Sequence, residues 1–117
     1  MPKFTPDRRR LTALRLRSLG IADAPARSPL EVVRHLLALQ GQDYAGALWS
    51  IGLRSGATLA DVEASHHAGE FVRSWPFRST LHVVAAEDVG WMSALTADRA
   101  LAGAAGRHRQ LGLTDAN

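Results

Sequence analysis

Between residues 28 and 84 the hydrophobic period changes, and that change bounds the fold more tightly than any other feature of the chain. Ser28-Pro29-Leu30-Glu31 is a strong helix start: a serine to cap, a proline in the first turn where its missing N–H is not needed, and a glutamate three residues after the cap. The helix it opens is expected from Pro29 to about Leu39, with Leu30, Val33, Leu36 and Leu37 on one face. Gln40-Gly41-Gln42-Asp43-Tyr44 then interrupts the pattern. Gly41 permits a turn, and Asp43 can cap a helix from Tyr44 to about Leu53 that carries Leu48, Trp49 and Leu53 inside. Thr58-Leu59-Ala60-Asp61 opens a further helix through about His67, which Gly69 ends. After it the period becomes that of strands. Phe71 to Trp75 and Thr80 to Val84 are rich in β-branched and aromatic residues, flank Pro76-Phe77-Arg78-Ser79, and predict a hairpin.

The flanks are helical. A first helix is expected from about Pro6 to Leu19, with Leu11, Leu14 and Leu19 facing a core and Gly20 stopping it. A last one starts near Ala86-Glu87-Asp88, presents Val89, Met92 and Leu95, and passes into the Ala-rich stretch from Ala97 to Arg109. Glu87 and Asp88 could pass for an acid-base pair, but acids at a helix start are favoured by the macrodipole, so capping is the expectation. Trp49 and Trp91 read as core. Residues 1–117 thus form one region: a basic helical segment 1–20, helices and a Gln-x-Gln motif at 28–68, a hairpin at 71–84 and a C-terminal helical segment at 86–111. A mostly α chain with one small β-hairpin in this order is what the winged-helix variant of the helix-turn-helix requires. With 117 residues one compact core is the ceiling, and nothing after Leu113 reads as an ending to a fold.

Cysteine is absent, so neither disulfides nor zinc-thiolate sites can form, which fits a reducing, cytoplasmic setting. No apolar run approaches the ~20 residues needed to span a bilayer, and the basic start lacks the apolar core of a secretory signal. His66 and His67 are neighbours on a helix and point about 100° apart, with no carboxylate at ligand spacing to both; neither a metal nor a cofactor is expected. Charge is unevenly spread. Lys3, Arg8, Arg9, Arg10, Arg15 and Arg17 stand against Asp7 alone, a local balance of +5 within an overall +3. Such a cluster suits a phosphate backbone, where each neutralised phosphate releases counterions; as a solvated helix face it needs no partner.

Two places carry candidate chemistry. Gln40 and Gln42 project to one side if their segment is extended, and each carboxamide offers a donor and an acceptor, although glutamines near a helix end are ordinarily solvated. The stretch from Arg73 to His82 gathers Arg73, Trp75, Phe77, Arg78, Ser79, Thr80 and His82, which together offer phosphate contacts and stacking surfaces or, alternatively, a hairpin that packs its aromatics inward. His82, on a strand among apolar neighbours, suits a hydrogen-bonded core position.

Taken in order, Leu39-Gln40-Gly41-Gln42-Asp43-Tyr44, Ala47-Leu48-Trp49 to Arg54, Arg73-Ser74-Trp75, Arg78-Ser79-Thr80-Leu81-His82, and Ala86-Glu87-Asp88-Val89 with Trp91 resemble the winged-helix AlkZ/YcaQ family of bacterial DNA glycosylases over nearly the whole chain. The resemblance implies tandem winged helices with a β-barrel, of which this chain is an N-terminal part, and duplex DNA, alkylated, as partner. It implies hydrolysis of the N-glycosidic bond of N7-type alkylated purines, with catalytic side chains at Gln40 and Gln42; the basic cluster and the hairpin residues, read for their charge and hydrogen-bonding groups, add expected DNA contacts at Arg8, Arg9, Arg10, Arg73, Arg78, Thr80 and His82. Gly41 stands where the family usually has an apolar residue, and Ser79 where glycine is common. The alternatives are a non-catalytic winged-helix DNA-binding or regulatory module, and a fragment inactive by itself.

Overall fold

The computed structural model describes residues 7–23, 27–77 and 80–113. In chain order they form α1 (Arg8–Ser18), α2 (Pro29–Leu36), β1 (Ala38–Gln40), α3 (Tyr44–Ser55), α4 (Leu59–His67), β2 (Phe71–Phe77), β3 (Thr80–Ala85), a single 3-10 turn at Ala86–Asp88 and α5 (Val89–Gln110). The strands make one antiparallel sheet in the order β1-β3-β2. Helix, short strand, two helices, then a hairpin whose second strand pairs back onto the first strand is the winged-helix arrangement.

The helix starts are where local chemistry puts them. Ser28 Oγ accepts from the Glu31 N–H at 3.2 Å while the Glu31 carboxylate accepts from the Ser28 N–H at 2.7 Å, and Thr58 and Asp61 repeat the pair at 3.3 and 3.0 Å. These hydrogen bonds to the charged form hold both carboxyls below their usual range. Asp43 caps α3 by accepting from the Gly46 N–H at 3.1 Å. At the other end Gly56 takes the left-handed conformation, φ 71°, that closes the helix without a Cβ penalty.

The hairpin is joined by a strand that the helical period hides. The helix expected to reach Leu39 stops at Leu36, because Leu37 turns out of the helix at φ 64° and Ala38, Leu39 and Gln40 pair with Val84, Val83 and His82. Leu36-Leu37-Ala38-Leu39 is apolar at either period, so the ladder to β3 and the burial of Leu39 decide the matter; Leu37, expected on the apolar face, is exposed.

Register then sorts the sheet into two faces. Leu39, Phe71, Val83 and Ala85 pack with Val32 and Val33 of α2, Ala47, Leu48 and Ile51 of α3, and Val62 of α4. On the other face α5 lies across β2, Val84 and Met92 are fully buried, and Thr96 donates its hydroxyl to the Pro76 carbonyl. Pro76 itself sits at the register irregularity between Ser74 and Phe77, where a residue with no N–H to give is tolerated.

Several residues expected inside are not. Trp49 is 68% exposed, Leu95 73%, and Leu53 and Trp91 about half: α3 buries Ala47, Leu48 and Ile51 instead, and α5 buries Met92. Helix α1 buries no residue at all: Leu11, Leu14 and Leu19 are exposed, and the helix is held by its C-terminal end, where the Ser18 and Leu19 carbonyls meet His35 Nε2 at 3.0 Å and Arg54 Nε at 2.7 Å. The acids of the 3-10 turn do not cap either. Glu87 accepts two bonds from Arg34 at 2.9 and 2.7 Å, which holds its carboxyl below the usual range, and Asp88 accepts from Trp91 Nε1 at 2.7 Å.

Candidate functional site

The Gln-Gly-Gln segment lies where β1 ends and the cap of α3 begins. Gln40 is the last residue of β1, opposite His82, which in turn pairs with Ser74. The Gly41 N–H continues the ladder by one bond, to the Leu81 carbonyl at 2.8 Å. Its own carbonyl accepts from two nitrogens of Arg73, Nη2 at 2.8 Å and Nε at 3.2 Å. Both glutamine side chains are exposed while the glycine between them is buried.

Gly41 therefore does something other than permit a turn. Its φ is not positive, and a Cβ there would stand 3.0 Å from the carbonyl carbon of His82 and 3.2 Å from the Cα of His82 and the N of Val83. The glycine allows β1 to approach β3, a central strand paired on both sides and unable to recede freely. We expect Gly41→Ala to cost about 1 kcal/mol and Gly41→Val more, within the ~1–3 kcal/mol usual for overpacking. Urea unfolding of each variant measures this, and an alanine variant as stable as the parent would show that the strands part without cost.

Beside Gln40 is an open cleft of about 510 Å³ bordered by Gln40, Asp43, Ser50 and Arg54 on its polar side and by Leu36 and Leu39 among its apolar walls. Arg54 is spoken for: Nη1 donates to the Ser50 carbonyl at 2.8 Å and to its hydroxyl at 2.6 Å, besides the bond from Nε to Leu19.

Arg73, read from sequence as a DNA contact, is half-buried, its guanidinium 5.0 Å from the centre of the Tyr44 ring as well as on Gly41. Tyr44 Oη lies 3.0 Å from His66 Nδ1, and the His66 ring stacks on Phe71 at 5.5 Å. Burial first, then the nearby His67 and Arg73 charges, push His66 below the ordinary histidine range, so it is neutral at pH 7. None of this network was legible in the sequence. The types were visible, but only the fold puts Arg73, Tyr44 and His66 beside Gly41.

Thr80 donates its hydroxyl to the Phe77 carbonyl at 2.8 Å, and His82 Nδ1 lies 2.8 Å from the Thr80 carbonyl with its ring edge-on to Phe77 at 5.5 Å. Both side chains close the hairpin upon itself. Arg78 lies outside the described residues. Arg8, Arg9 and Arg10 are exposed on the first turn of α1, about 15 Å along the helix axis from Leu19, which borders the cleft. Helix α4, at the place where a winged helix ordinarily reads the major groove, bears Asp61 and Glu63 and neither lysine nor arginine. Among the described residues no three side chains of metal-ligating type gather, and no helix is long and apolar enough to cross a membrane.

Fold and segment together define a winged-helix protein that presents two carboxamides from the end of its first strand. The chain belongs to the AlkZ-like DNA glycosylase family, whose profile, described as DNA glycosylase AlkZ-like, matches residues 33–117. Among solved structures it is similar in fold to the Streptomyces sahachiroi DNA glycosylase AlkZ, with a TM-score of 0.62 and 23% identity, over 74% of this chain and 24% of that one. The chain thus spans about a quarter of the length of that protein. No curated protein matches it.

Proposed function

We propose that this chain supplies the DNA-engaging, motif-bearing winged helix of a monofunctional glycosylase that hydrolyses the N-glycosidic bond of N7-alkylated purines in duplex DNA. The observation that carries the reading is the exposed carboxamide pair, Gln40 and Gln42, borne on a backbone segment bonded to Leu81 on one side and Arg73 on the other.

A carboxamide cannot take up a proton near pH 7, so the substrate must be activated already. An N7-alkylpurine is. Its ring bears a positive charge, and when C1′–N9 breaks the bonding pair passes to N9 and leaves a neutral base. Water adds to C1′ and releases its proton to solvent. The site has only to orient that water and set carboxamide dipoles against the oxocarbenium-like sugar. The neighbouring groups fit this division of labour: Asp43 caps α3, and His66 is neutral and engaged with Tyr44, so neither is poised as the general acid that an unmodified base would need. Release of N7-methylguanine from duplex DNA by the longest available form of the protein tests the proposal; intact lesions after prolonged incubation, with the protein folded and bound, would remove it.

Duplex affinity is assigned to α1 rather than to α4, whose acids repel phosphate. Replacing Arg8, Arg9 and Arg10 by alanine should weaken binding to any duplex alike and lower the slope of log affinity against log salt by up to about 2–3, near 0.9 per lost phosphate contact. A slope that stays put would mark the cluster as a solvated face.

A second reading, that this polypeptide is inactive by itself, rests on an exposed apolar groove of about 620 Å³ between α3 and α4, lined by Tyr44, Leu48, Trp49, Leu53, Leu59 and Val62. Further winged-helix and barrel segments are the proposed cover, and comparing base release by this chain with that of a longer form decides it.

A further inference from the structure

We infer that Arg73 is the positioning residue of this site, acting on the Gly41 carbonyl to set the direction of the Gln42 carboxamide relative to that of Gln40 rather than on DNA phosphate. The inference rests on the assignment of Gln40 and Gln42 above.

Two peptide planes carry the glutamines. The plane joining Gln40 to Gly41 holds the Gly41 N–H, fixed by its bond to Leu81 in the central strand at 2.8 Å. The plane joining Gly41 to Gln42 holds the Gly41 carbonyl, and β1 has already ended there. Between the two planes lie the torsions of a glycine, the residue least restricted in them. Without a second restraint the Gln42 plane could swing while the Gln40 plane stayed in the ladder, and the placement of one carboxamide relative to the other would be lost.

Arg73 supplies that restraint. Nε and Nη2 both donate to the one carbonyl oxygen, so the guanidinium plane sets where the oxygen lies as well as its distance. The guanidinium is itself steadied by the Tyr44 ring 5.0 Å away, and Tyr44 in turn by His66. Its place in β2, opposite Val83 in the register that also pairs Val83 with Leu39, puts it across the sheet from the segment it holds. Two of its nitrogens bonded to one carbonyl and its half-buried position leave it a poor phosphate ligand beside the exposed arginines of α1.

The test is single-turnover release of N7-methylguanine from a duplex by the whole protein carrying Arg73→Lys or Arg73→Ala. The lysine variant keeps the charge and much of the stem but cannot form the planar two-nitrogen contact, so it serves even if the alanine variant folds poorly. Both should lower the saturating excision rate ~10- to 100-fold, the usual consequence of displacing a catalytic group by about an ångström. Duplex affinity and its salt slope should not change, and methylguanidinium should restore part of the rate to Arg73→Ala but none to Gln42→Ala. A full saturating rate in Arg73→Lys, or a loss confined to affinity with a shallower salt slope, overturns the inference. The two failures separate cleanly: glutamine variants that keep full excision sink the catalytic assignment, whereas glutamine variants that lose it beside an unimpaired Arg73→Lys sink only the positioning role.

Discussion

In the whole protein Gln42→Ala is expected to slow release of an N7-alkylpurine by about 10²-fold or more, the usual size for removing a positioned dipole or a group that orients water. Gln40→Ala should behave alike. Because both carboxamides are exposed and α1 carries the basic cluster, duplex affinity should stay within about two-fold of the parent, on the view that phosphate contacts set affinity. The double variant should fall well short of the product of the two single losses, since two groups aligning one water fail together. Circular dichroism should show each variant folded, exposed side chains on the surface being replaceable at little cost. Full excision in folded variants of both glutamines would leave the non-catalytic DNA-binding module as the better account.

The second large effect is on stability. Phe71 is 1% exposed, opens β2 opposite Ala85, stacks on His66 and belongs to the core that joins α2, α3, α4 and the sheet. Phe71→Ala should cost about 3–5 kcal/mol in lost transfer energy and residual cavity. A small domain has only about 5–15 kcal/mol in total, so the transition midpoint should fall by on the order of 15 °C or more. Phe71→Leu should lose far less. Thermal unfolding followed by circular dichroism measures both, and a loss under about 1 kcal/mol for alanine would show that the core does not close around this ring.

How much of this could be read from the chain depends on how far apart the interacting residues are. Ser28 with Glu31, Thr58 with Asp61, and Asp43 with the Gly46 N–H are contacts of three residues' reach, so their helix starts were legible residue by residue. The hairpin was legible too, its β-branched runs being adjacent, and so was the Gln-Gly-Gln segment as a place of interest. Burial was less so. Trp49, Leu53, Trp91 and Leu95 sit at helical spacing from apolar neighbours, yet spacing gives only a stripe on the helix and not what lies against it; α3 packs against α2 and α4 and α5 against β2, and these four stay exposed.

Local capping, period and the partition of charge toward α1 are properties of neighbouring residues, and for that reason the chain carries them without its fold. The existence of β1, the close approach at Gly41, and the clamp of Arg73 on its carbonyl each join residues far apart in sequence, so each was decided by tertiary structure alone. An apolar run such as Leu36 to Leu39 satisfies helix and strand equally, and a glycine serves equally for a turn or for contact; what resolves both is a partner strand arriving from the other end of the domain to satisfy backbone groups that would otherwise be buried without bonds.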